Sequence, residues 1–508
     1  MAEYSSSTFK LLAIIALACV SALAYSQITL YLTRRKFKLE HGCKPLQKMY
    51  PLKDKILGLD NLFETIAASK QNRLLERALH NYRTIGNTFG SKVFTQKIFV
   101  TCEPQNVKTI LSLRFKDFGI SQREISLGPL LGRGIFTTDG QFWSHSRAMI
   151  RPNFARDQVA DLQTFERHIQ HLWKLIPRDG STFDLQELFF RFTIDSATEF
   201  LFGQSTQTLN PAKVGGPDGA QFAQAFNDAQ DACAMRFRLG GLRWIHRDSK
   251  GKEAIRICHE FVGHFVDEAV RYREHDVEKK GAVDKRYVFL HELARDTKDK
   301  TRLRDELLNV LLAGRDTTAS LLSNLFFMLA KRPDIFRKLR NEVEETLGGE
   351  LPTYEQIKSM KYLKYCLNES LRLHPVVPGN SRVALRDSVI PIGGGPEGKD
   401  PVFVPKGDLV IYTAYAMHRR KDFYGEDADE FRPERWETLR PGWEYLPFNG
   451  GPRICLGQQY ALTEAGYVTI RLCQEFKELM SRDDRPWTEG LTLTVCSKNG
   501  VQVGLTPA

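Results

Sequence analysis

The sequence contains no Cys-x-x-Cys pair and no regular cysteine spacing, although nine of its 508 residues are cysteine. Closely spaced cysteine pairs hold zinc, and an even, patterned set indicates a disulfide framework, so neither is expected. An odd, scattered set of thiols is typical of a protein body that stays in a reducing compartment.

Two further patterns are missing. No Gly-x-Gly-x-x-Gly follows a strand-like run, so the chain has no motif for a flavin or nicotinamide nucleotide. No dense basic run interleaved with aromatic residues is present, so nucleic-acid binding is not expected, although the formal net charge is +11. Most of this surplus is solvated surface, and the partners it fits are anionic lipid and an acidic protein.

One long apolar run covers residues 11–32 without a charge. As a helix it would span ~33 Å, enough to cross a bilayer. Four basic residues lie within positions 34–38 whereas only Lys10 precedes the run, a bias that places the rest of the chain in the cytosol. We therefore predict a membrane anchor over residues 1–32. The alternative is a cleaved signal peptide, with polar Ser26-Gln27 near the cleavage site.

Residues 33–508 contain no linker, repeat or low-complexity segment long enough to divide them, which predicts one large domain built around a prosthetic group. Helical patterns dominate. The strongest covers residues 302–331, is apolar on almost every face and predicts a long buried helix ended by Pro333.

Thr353 and Gln356 predict a capping box at the start of a second helix, which would run through Leu373. Strand-like runs cluster between residues 382 and 414. The pattern indicates a mainly α fold with a small β part late in the chain.

One cysteine lies among glycines, a phenylalanine and an arginine, in the segment Phe448-Asn-Gly-Gly-Pro-Arg-Ile-Cys-Leu-Gly457. Glycine turns bring main-chain N–H groups near the Cys455 sulfur, Phe448 can cover the sulfur from water, and Arg453 offers a rigid fork to a carboxylate. A thiolate held in this way suits the axial position of a haem iron. The alternative, a buried and inert thiol, is our interpretation of the other eight cysteines.

A polar segment, Ala313-Gly-Arg-Asp-Thr-Thr318, interrupts the long apolar helix. Glycine in a helix interior costs about 1 kcal/mol against alanine. Gly314 and the threonine hydroxyls are expected to open the helix locally and leave room for O₂ and water. Asp316 and Thr317 would then be an acid and an alcohol able to deliver protons. The alternative is a helix kink whose threonines bond to their own backbone.

Both segments resemble the cytochrome P-450 family. The first matches Phe-x-x-Gly-x-Arg-x-Cys-x-Gly at all five specified positions, and the second matches (Ala/Gly)-Gly-x-(Asp/Glu)-Thr-(Thr/Ser) throughout. The resemblance implies the P-450 fold, haem b as cofactor with Cys455 on the iron, and Asp316 with Thr317 as the catalytic proton-delivery pair.

Further segments follow in the family's order. Trp143 and Arg147 resemble its Trp-x-x-x-Arg helix, in which both residues reach a haem propionate, and Arg382 is a less specific third partner. His145 lies between them and is interpreted as a polar helix residue.

Glu369 and Arg372 resemble the family's Glu-x-x-Arg, and Arg435 lies in a segment like its Phe-x-Pro-Glu-Arg. The resemblance implies a buried ionic network with a structural role.

The implied activity is that of a haem-thiolate monooxygenase, which uses O₂ and electrons from NADPH-cytochrome P-450 reductase to oxidise a lipophilic substrate. The implied location is the endoplasmic reticulum membrane, with a single span and a cytosolic catalytic domain. Residues 192–203, 380–387 and the glycine-rich loop 393–398 look like the fungal branch of alkane-inducible monooxygenases and fatty-acid ω-hydroxylases. That likeness implies oxidation of a long-chain fatty acid or alkane near its terminus.

Three other functions stay open. Related enzymes of the branch carry out tailoring oxidations of fungal secondary metabolites. A haem-thiolate isomerase or dehydratase needs no electrons, and the Asp316-Thr317 pair argues against it. A non-catalytic haem sensor or carrier would not consume NADPH in the presence of reductase.

The pocket walls are expected from residues 112–140, 222–244, 376–381 and 495–500. We also expect four apolar residues near the haem, namely Leu311, Leu312, Val376 and Val377. A fatty-acid carboxylate would need a cation at the entrance, for which the candidates are Arg236, Arg238 and Arg243.

Overall fold

The computed structural model describes residues 2–94, 96–120, 122–154, 161–210, 218–245, 247–276 and 287–508. Helices dominate these residues and the strands form small sheets, so the predicted mainly α fold with a small β part is confirmed.

The helices are α1 (Ala2–Glu40), α2 (Leu59–Lys70), α3 (Leu74–Ile85), α4 (Pro104–Lys108), α5 (Gln122–Leu131), α6 (Gly140–Ile150), α7 (Leu162–Trp173), α8 (Leu185–Phe202), α9 (Gly219–Leu239), α10 (Ser249–Asp276), α11 (Phe289–Asp296), α12 (Lys300–Lys331), α13 (Pro333–Leu347), α14 (Tyr354–Ser359), α15 (Lys361–Leu373), α16 (Ala414–Met417), α17 (Lys421–Tyr424) and α18 (Gln458–Glu475). Short π and 3₁₀ turns occupy, among other positions, Thr109–Leu113 and Gly451–Arg453.

The strands are β1 (Thr88–Val93), β2 (Gln96–Thr101), β3 (Phe118–Gly119), β4 (Phe183–Asp184), β5 (Gly379–Ala384), β6 (Ser388–Gly394), β7 (Asp400–Val404), β8 (Leu409–Thr413), β9 (Phe476–Ser481), β10 (Glu489–Leu491), β11 (Val495–Ser497) and β12 (Gln502–Pro507). The largest sheet has the order β1-β2-β8-β5-β3, with β2 and β8 parallel. The prediction of a purely late β part was wrong, because β1 and β2 precede the helical body.

Helix α12 runs through the centre of the body, as residues 302–331 predicted, and Asp299 caps its first turn through the Arg302 N–H. Its first half packs into one apolar cluster through Leu303 and Leu307, and its second half packs into another through Leu325. The polar segment 313–318 therefore lies where the two clusters meet.

The predicted helix from Thr353 to Leu373 is two helices. The capping box of Thr353 and Gln356 is present at α14, but Met360 is extended and separates α14 from α15. The Glu342 carboxylate of α13 accepts hydrogen bonds from the first N–H groups of α15, both at 2.8 Å. A side chain from another helix thus caps the N-terminus of α15.

The predicted apolar run lies in one helix, α1, which continues past residue 32 to Glu40. Within the described residues, Leu11–Glu40 is the one helical segment long and apolar enough to cross a membrane, and its most apolar 18-residue stretch has a mean hydropathy of 2.1 and is not buried in the protein.

Candidate functional site

The loop that carries Cys455 leaves a 3₁₀ turn and closes on itself. The Cys455 N–H donates to the Phe448 carbonyl at 3.0 Å, and Phe448 packs against the apolar core. Gly451 has φ +70° and faces the π turn, where a Cβ would overlap the Leu111 carbonyl oxygen. Only glycine satisfies both the backbone conformation and this close approach.

Cys455 is exposed by surface area, although burial raises the pKa of its thiol. The exposure and the raised pKa are compatible, because protein atoms surround the Cys455 sulfur while no side chain of the described residues packs directly over it. The Gly457 backbone hydrogen bond and then the Arg147 charge act in the opposite direction and favour the thiolate.

Arg453 lies two residues before Cys455 and turns towards the segment before α6. Its guanidinium donates to the Thr138 carbonyl at 2.9 Å, to the Ile135 carbonyl at 3.2 Å and to the Asp139 carboxylate at 2.6 Å. Its Cζ atom also lies 4.3 Å from the centre of the Trp143 ring. Burial lowers the pKa of Arg453 to about 9, although Asp139 raises it.

The structure places the other predicted arginines beside it. Arg147 donates to the Ile454 carbonyl at 3.0 Å and stacks on Trp143 from the same helix, α6. Arg382 is buried in β5 and donates to the Ser381 carbonyl at 2.7 Å and the Asn380 amide oxygen at 3.0 Å.

Arg123 of α5 is a member of this group that the sequence analysis missed. It also donates to the Asn380 amide oxygen, and burial and then the Arg382 charge lower its pKa to about 10. We call Arg123, Arg147, Arg382 and Arg453 the four-arginine cluster. No spacing in the sequence pointed to Arg123, because its neighbours come from β5 and from the segment before α6.

The four-arginine cluster needs an anion. In the described part of the chain, Asp139 is the one carboxylate whose charge acts on both Arg123 and Arg453. Guanidinium groups bind carboxylates through paired, charge-assisted hydrogen bonds. Haem carries two propionates, so the cluster and the exposed sulfur of Cys455 fit the two polar features of this cofactor.

The polar segment of α12 presents one accessible face. Leu312, Ala313, Gly314 and Thr317 are partly exposed in a helix whose other residues nearby are buried. Helix α12 is continuous from Lys300 to Lys331, so the backbone shows no break where a local opening was predicted. The Thr317 hydroxyl donates to the Ala313 carbonyl at 2.5 Å, as in the alternative interpretation.

Asp316 lies one turn after Leu312 on α12 and is buried. It pairs with Arg315 at 2.9 Å, and the Arg315 Cζ atom lies 5.3 Å from the centre of the Phe190 ring and 5.7 Å from that of Phe226. Burial raises the pKa of Asp316, and Arg315 and then Gln230 lower it. A cation, Arg315, and a neutral amide, Gln230, therefore hold the Asp316 carboxyl in place.

The expected pocket walls come together around α12. Helix α9 packs on α5, and both belong to one apolar cluster with the first half of α12. The Val495 N–H donates to the Val376 carbonyl at 3.0 Å, and the Val495 carbonyl accepts from Asn324 of α12. Ser121, within the first wall segment, lies outside the described residues.

Leu311 and Leu312, both expected near the haem, differ in burial. Leu311 is completely buried in the apolar cluster, whereas Leu312 is partly exposed. Consecutive helix residues point about 100° apart, and the accessible face begins at Leu312 rather than at Leu311.

Glu369, Arg372 and Arg435 form the buried network that the sequence predicted. Arg372 binds both Glu369 oxygens, at 2.8 and 2.9 Å, and Arg435 binds one at 2.8 Å. Trp436 donates to the other oxygen at 3.0 Å. We call these four residues the Glu369 network; it lies in the core and presents no free carboxylate oxygen.

A family model of cytochrome P450 matches residues 59–503. The chain belongs to the cytochrome P450 family. It is a monooxygenase whose cofactor is haem with a cysteine thiolate on the iron. Cytochromes P450 of this kind use O₂, a lipophilic substrate and a redox partner.

Several fungal cytochromes P450 are similar over nearly the whole chain. The cytochrome P450 monooxygenase himC of Aspergillus japonicus is 53% identical over 93% of this chain and 85% of that protein. The monooxygenase fsdH of Fusarium heterosporum is 49% identical over 99% and 92%. Cytochrome P450 52A13 of Debaryomyces hansenii is 44% identical over 92% and 93%. The predicted likeness to the fungal alkane-inducible and ω-hydroxylase branch is confirmed.

Proposed function

We propose that this cytochrome P450 hydroxylates a long-chain fatty acid or alkane near its terminus, with Cys455 as the axial ligand. Bound haem supplies the activation of O₂. The exposed Cys455 supports this ligand, since the other cysteines in the described residues have no arginine cluster and glycine turns around them.

In this proposal the chain binds the haem carboxylates through the four-arginine cluster. Trp143 stacks against Arg453 and Arg147 and keeps both guanidiniums aligned. Asp139 balances part of the charge before the cofactor binds. The hydrogen bonds of Arg453 thereby join the Cys455 loop to the segment before α6.

Two groups of α12 move protons. Thr317 holds a proton at its Oγ atom, which points along the accessible face and rests on the Ala313 carbonyl. Asp316 is buried next to that face, where Arg315 and Gln230 hold it, and its raised pKa lets it carry a proton nearer neutrality than a free carboxyl.

The observation that carries the substrate proposal is Arg236, in the last turn of α9. Its guanidinium donates to the Ile125 carbonyl of α5 at 3.2 Å, but its buried Nε has no hydrogen-bond partner among the described residues. Arg238 and Arg243 are tied to the carbonyls of Leu491 and Gly240. Arg236 thus keeps a donor for a carboxylate between α5 and α9.

The proposal includes the cellular setting. Residues 1–32 form the anchor and 33–508 the haem domain, which faces the cytosol at the endoplasmic reticulum and receives electrons from NADPH-cytochrome P-450 reductase. The apolar α1 and the net charge of +11 support membrane attachment and an acidic redox partner.

A spin-state titration of the purified holoenzyme tests the substrate class, with C12 to C18 acids, the matching alkanes and polyketide-like compounds. We expect Arg236→Gln to weaken acid binding about tenfold, the value of one charge-assisted hydrogen bond, and to leave alkane binding unchanged. Arg243→Gln is the matched control. Internal hydroxylation, or a spin shift with polyketide-like compounds alone, would reject the proposal in favour of a bulky secondary metabolite.

The ligand has its own test. Cys455→Ala should remove the Soret band that thiolate ligation gives to the reduced carbon-monoxide complex, whereas Cys496→Ala should keep it.

A further inference from the structure

Helix α1 is joined to the body by a short connection whose backbone is hydrogen-bonded. Gly42, at φ +62°, ends the helix, and two hydrogen bonds close its last turn: Gly42 N–H to the Leu39 carbonyl at 3.2 Å and Cys43 N–H to the Lys38 carbonyl at 2.8 Å. This is the Schellman arrangement, in which the glycine accepts the left-handed conformation. The Lys44 N–H then bonds to the Pro401 carbonyl of β7 at 2.8 Å. Three residues separate the helix from the body.

One face of the last turns of α1 lies on the β6–β7 hairpin. Arg34 makes a bidentate pair with Asp387, both bonds at 3.0 Å, and Phe37 packs on Phe403 with ring centres 5.6 Å apart. The Lys38 ammonium lies 5.0 Å above the same ring. Residues 34, 37 and 38 share a helix face, and 34 and 37 are partly buried while their neighbours are exposed.

The glycine-rich loop 393–398 receives the chain that follows. The Gln47 N–H donates to the Gly393 carbonyl at 2.9 Å, and the Gly395 N–H donates to the Pro45 carbonyl at 3.0 Å. A Cβ at Gly394 would lie 3.1 Å from the Lys44 carbonyl oxygen, and one at Gly398 would lie 2.6 Å from the Gln47 side chain. The glycines thus leave room for residues 44–47.

We infer that the β6–β7 hairpin is a docking surface for the anchor helix, which holds the catalytic body at one fixed orientation to the bilayer. The anchor then does more than retain the protein at the membrane, because a helix that is continuous from the bilayer to Glu40 transmits its tilt to the body. The Arg34–Asp387 ion pair is the polar contact of this surface, and the packing of Phe37 on Phe403 is its apolar contact.

Pulsed dipolar spectroscopy on the full-length holoenzyme in lipid nanodiscs tests this inference. Spin-labelled unnatural amino acids at Gln27 in α1 and Lys361 in α15, both exposed, report the distance between anchor and body. We expect one narrow distance for the parent protein. Arg34→Asp and Asp387→Arg should each broaden the distribution at least about twofold, because the helix is freed to pivot.

The control variants make the same changes of charge at positions that do not take part in the Arg34–Asp387 pair. Arg35→Asp, next to Arg34 but exposed, and Glu397→Arg, exposed on the same hairpin, should leave the distribution narrow. The double exchange Arg34→Asp with Asp387→Arg should restore it. A broad distribution in the parent protein, or narrow distributions in both single variants, would overturn the inference; Arg34→Asp lies outside the body and decides the case even if Asp387→Arg fails to fold.

Discussion

The two arginine-rich regions of the body differ in how their charge is balanced. In the Glu369 network, one carboxylate serves Arg372 and Arg435, and the remaining guanidinium donors reach backbone carbonyls such as those of His418 and Ala428. In the four-arginine cluster, Asp139 alone acts on Arg123 and Arg453 within the described residues, and both arginines have a lowered pKa.

Burial alone therefore does not separate structural from functional ionic groups. A buried network that satisfies its own charges holds the fold, and removing one member leaves an uncompensated charge. A cluster with excess charge of one sign holds the place of a ligand with the opposite sign. The following changes should separate the two kinds of region.

The largest effect is expected for Glu369→Gln. The change leaves the buried Arg372 without an anion and Arg435 with the partly exposed Asp427 alone, so the free energy of unfolding should fall by roughly 3–5 kcal/mol in urea, with or without haem. Glu345→Gln, at an exposed position of α13, should change it by less than about 0.5 kcal/mol. Equal effects of the two variants would contradict the structural role of the network.

Glu306 in α12 differs from Glu369: its carboxyl is also buried but makes no well-formed hydrogen bond, although the Ser146 hydroxyl is near. Burial raises its pKa to about 7, from 4.5. The folded state keeps a proton that the unfolded chain releases between these values, so the free energy of unfolding should fall as pH rises through this window, by up to roughly 3 kcal/mol. Glu306→Gln should flatten that part of the pH profile, measured by urea unfolding from pH 4.5 to 8.

Arg123→Gln tests the cluster. The apoprotein should keep its free energy of unfolding within about 1 kcal/mol, because a repelling charge disappears together with the bond to Asn380. Haem affinity should fall about tenfold or more, measured by transfer to apomyoglobin. The control is Arg133→Gln, at an exposed position near the same helix. A large loss of apoprotein stability would make Arg123 a member of a structural network instead.

The smallest effect is expected at the rim of the Glu369 network. Asp427 lies 3.2 Å from Arg435 but is partly exposed, so water screens the pair. Asp427→Asn should cost less than about 1 kcal/mol in thermal or urea unfolding. A loss near that of Glu369→Gln would show that the balanced core of the network extends to the surface.

The sequence was sufficient where the chemistry lies in one continuous segment. Cys455, Phe448 and Arg453 share a decapeptide, and the course of α12 followed from its own apolar pattern. The roles of these residues as ligand and cofactor contacts remain predictions.

The sequence was insufficient where one element depends on another. The break at Met360 requires Glu342 of α13, which caps α15 from outside. Arg123 joins the cluster only because α5 lies against β5, and the difference between Leu311 and Leu312 depends on how α12 is rotated in its packing. None of these facts is a property of a local pattern.

The hydrogen bond between Arg453 and Ile135 joins residues 318 positions apart, which has a consequence for biosynthesis. Translation at 5–20 residues per second needs roughly 15–60 s to cover that interval. Throughout this time the nascent chain contains α6 but lacks the loop that carries Cys455. With Cys455 as the proposed ligand, haem binding is therefore among the last events of synthesis, and a chain terminated before residue 448 would have no site for the cofactor.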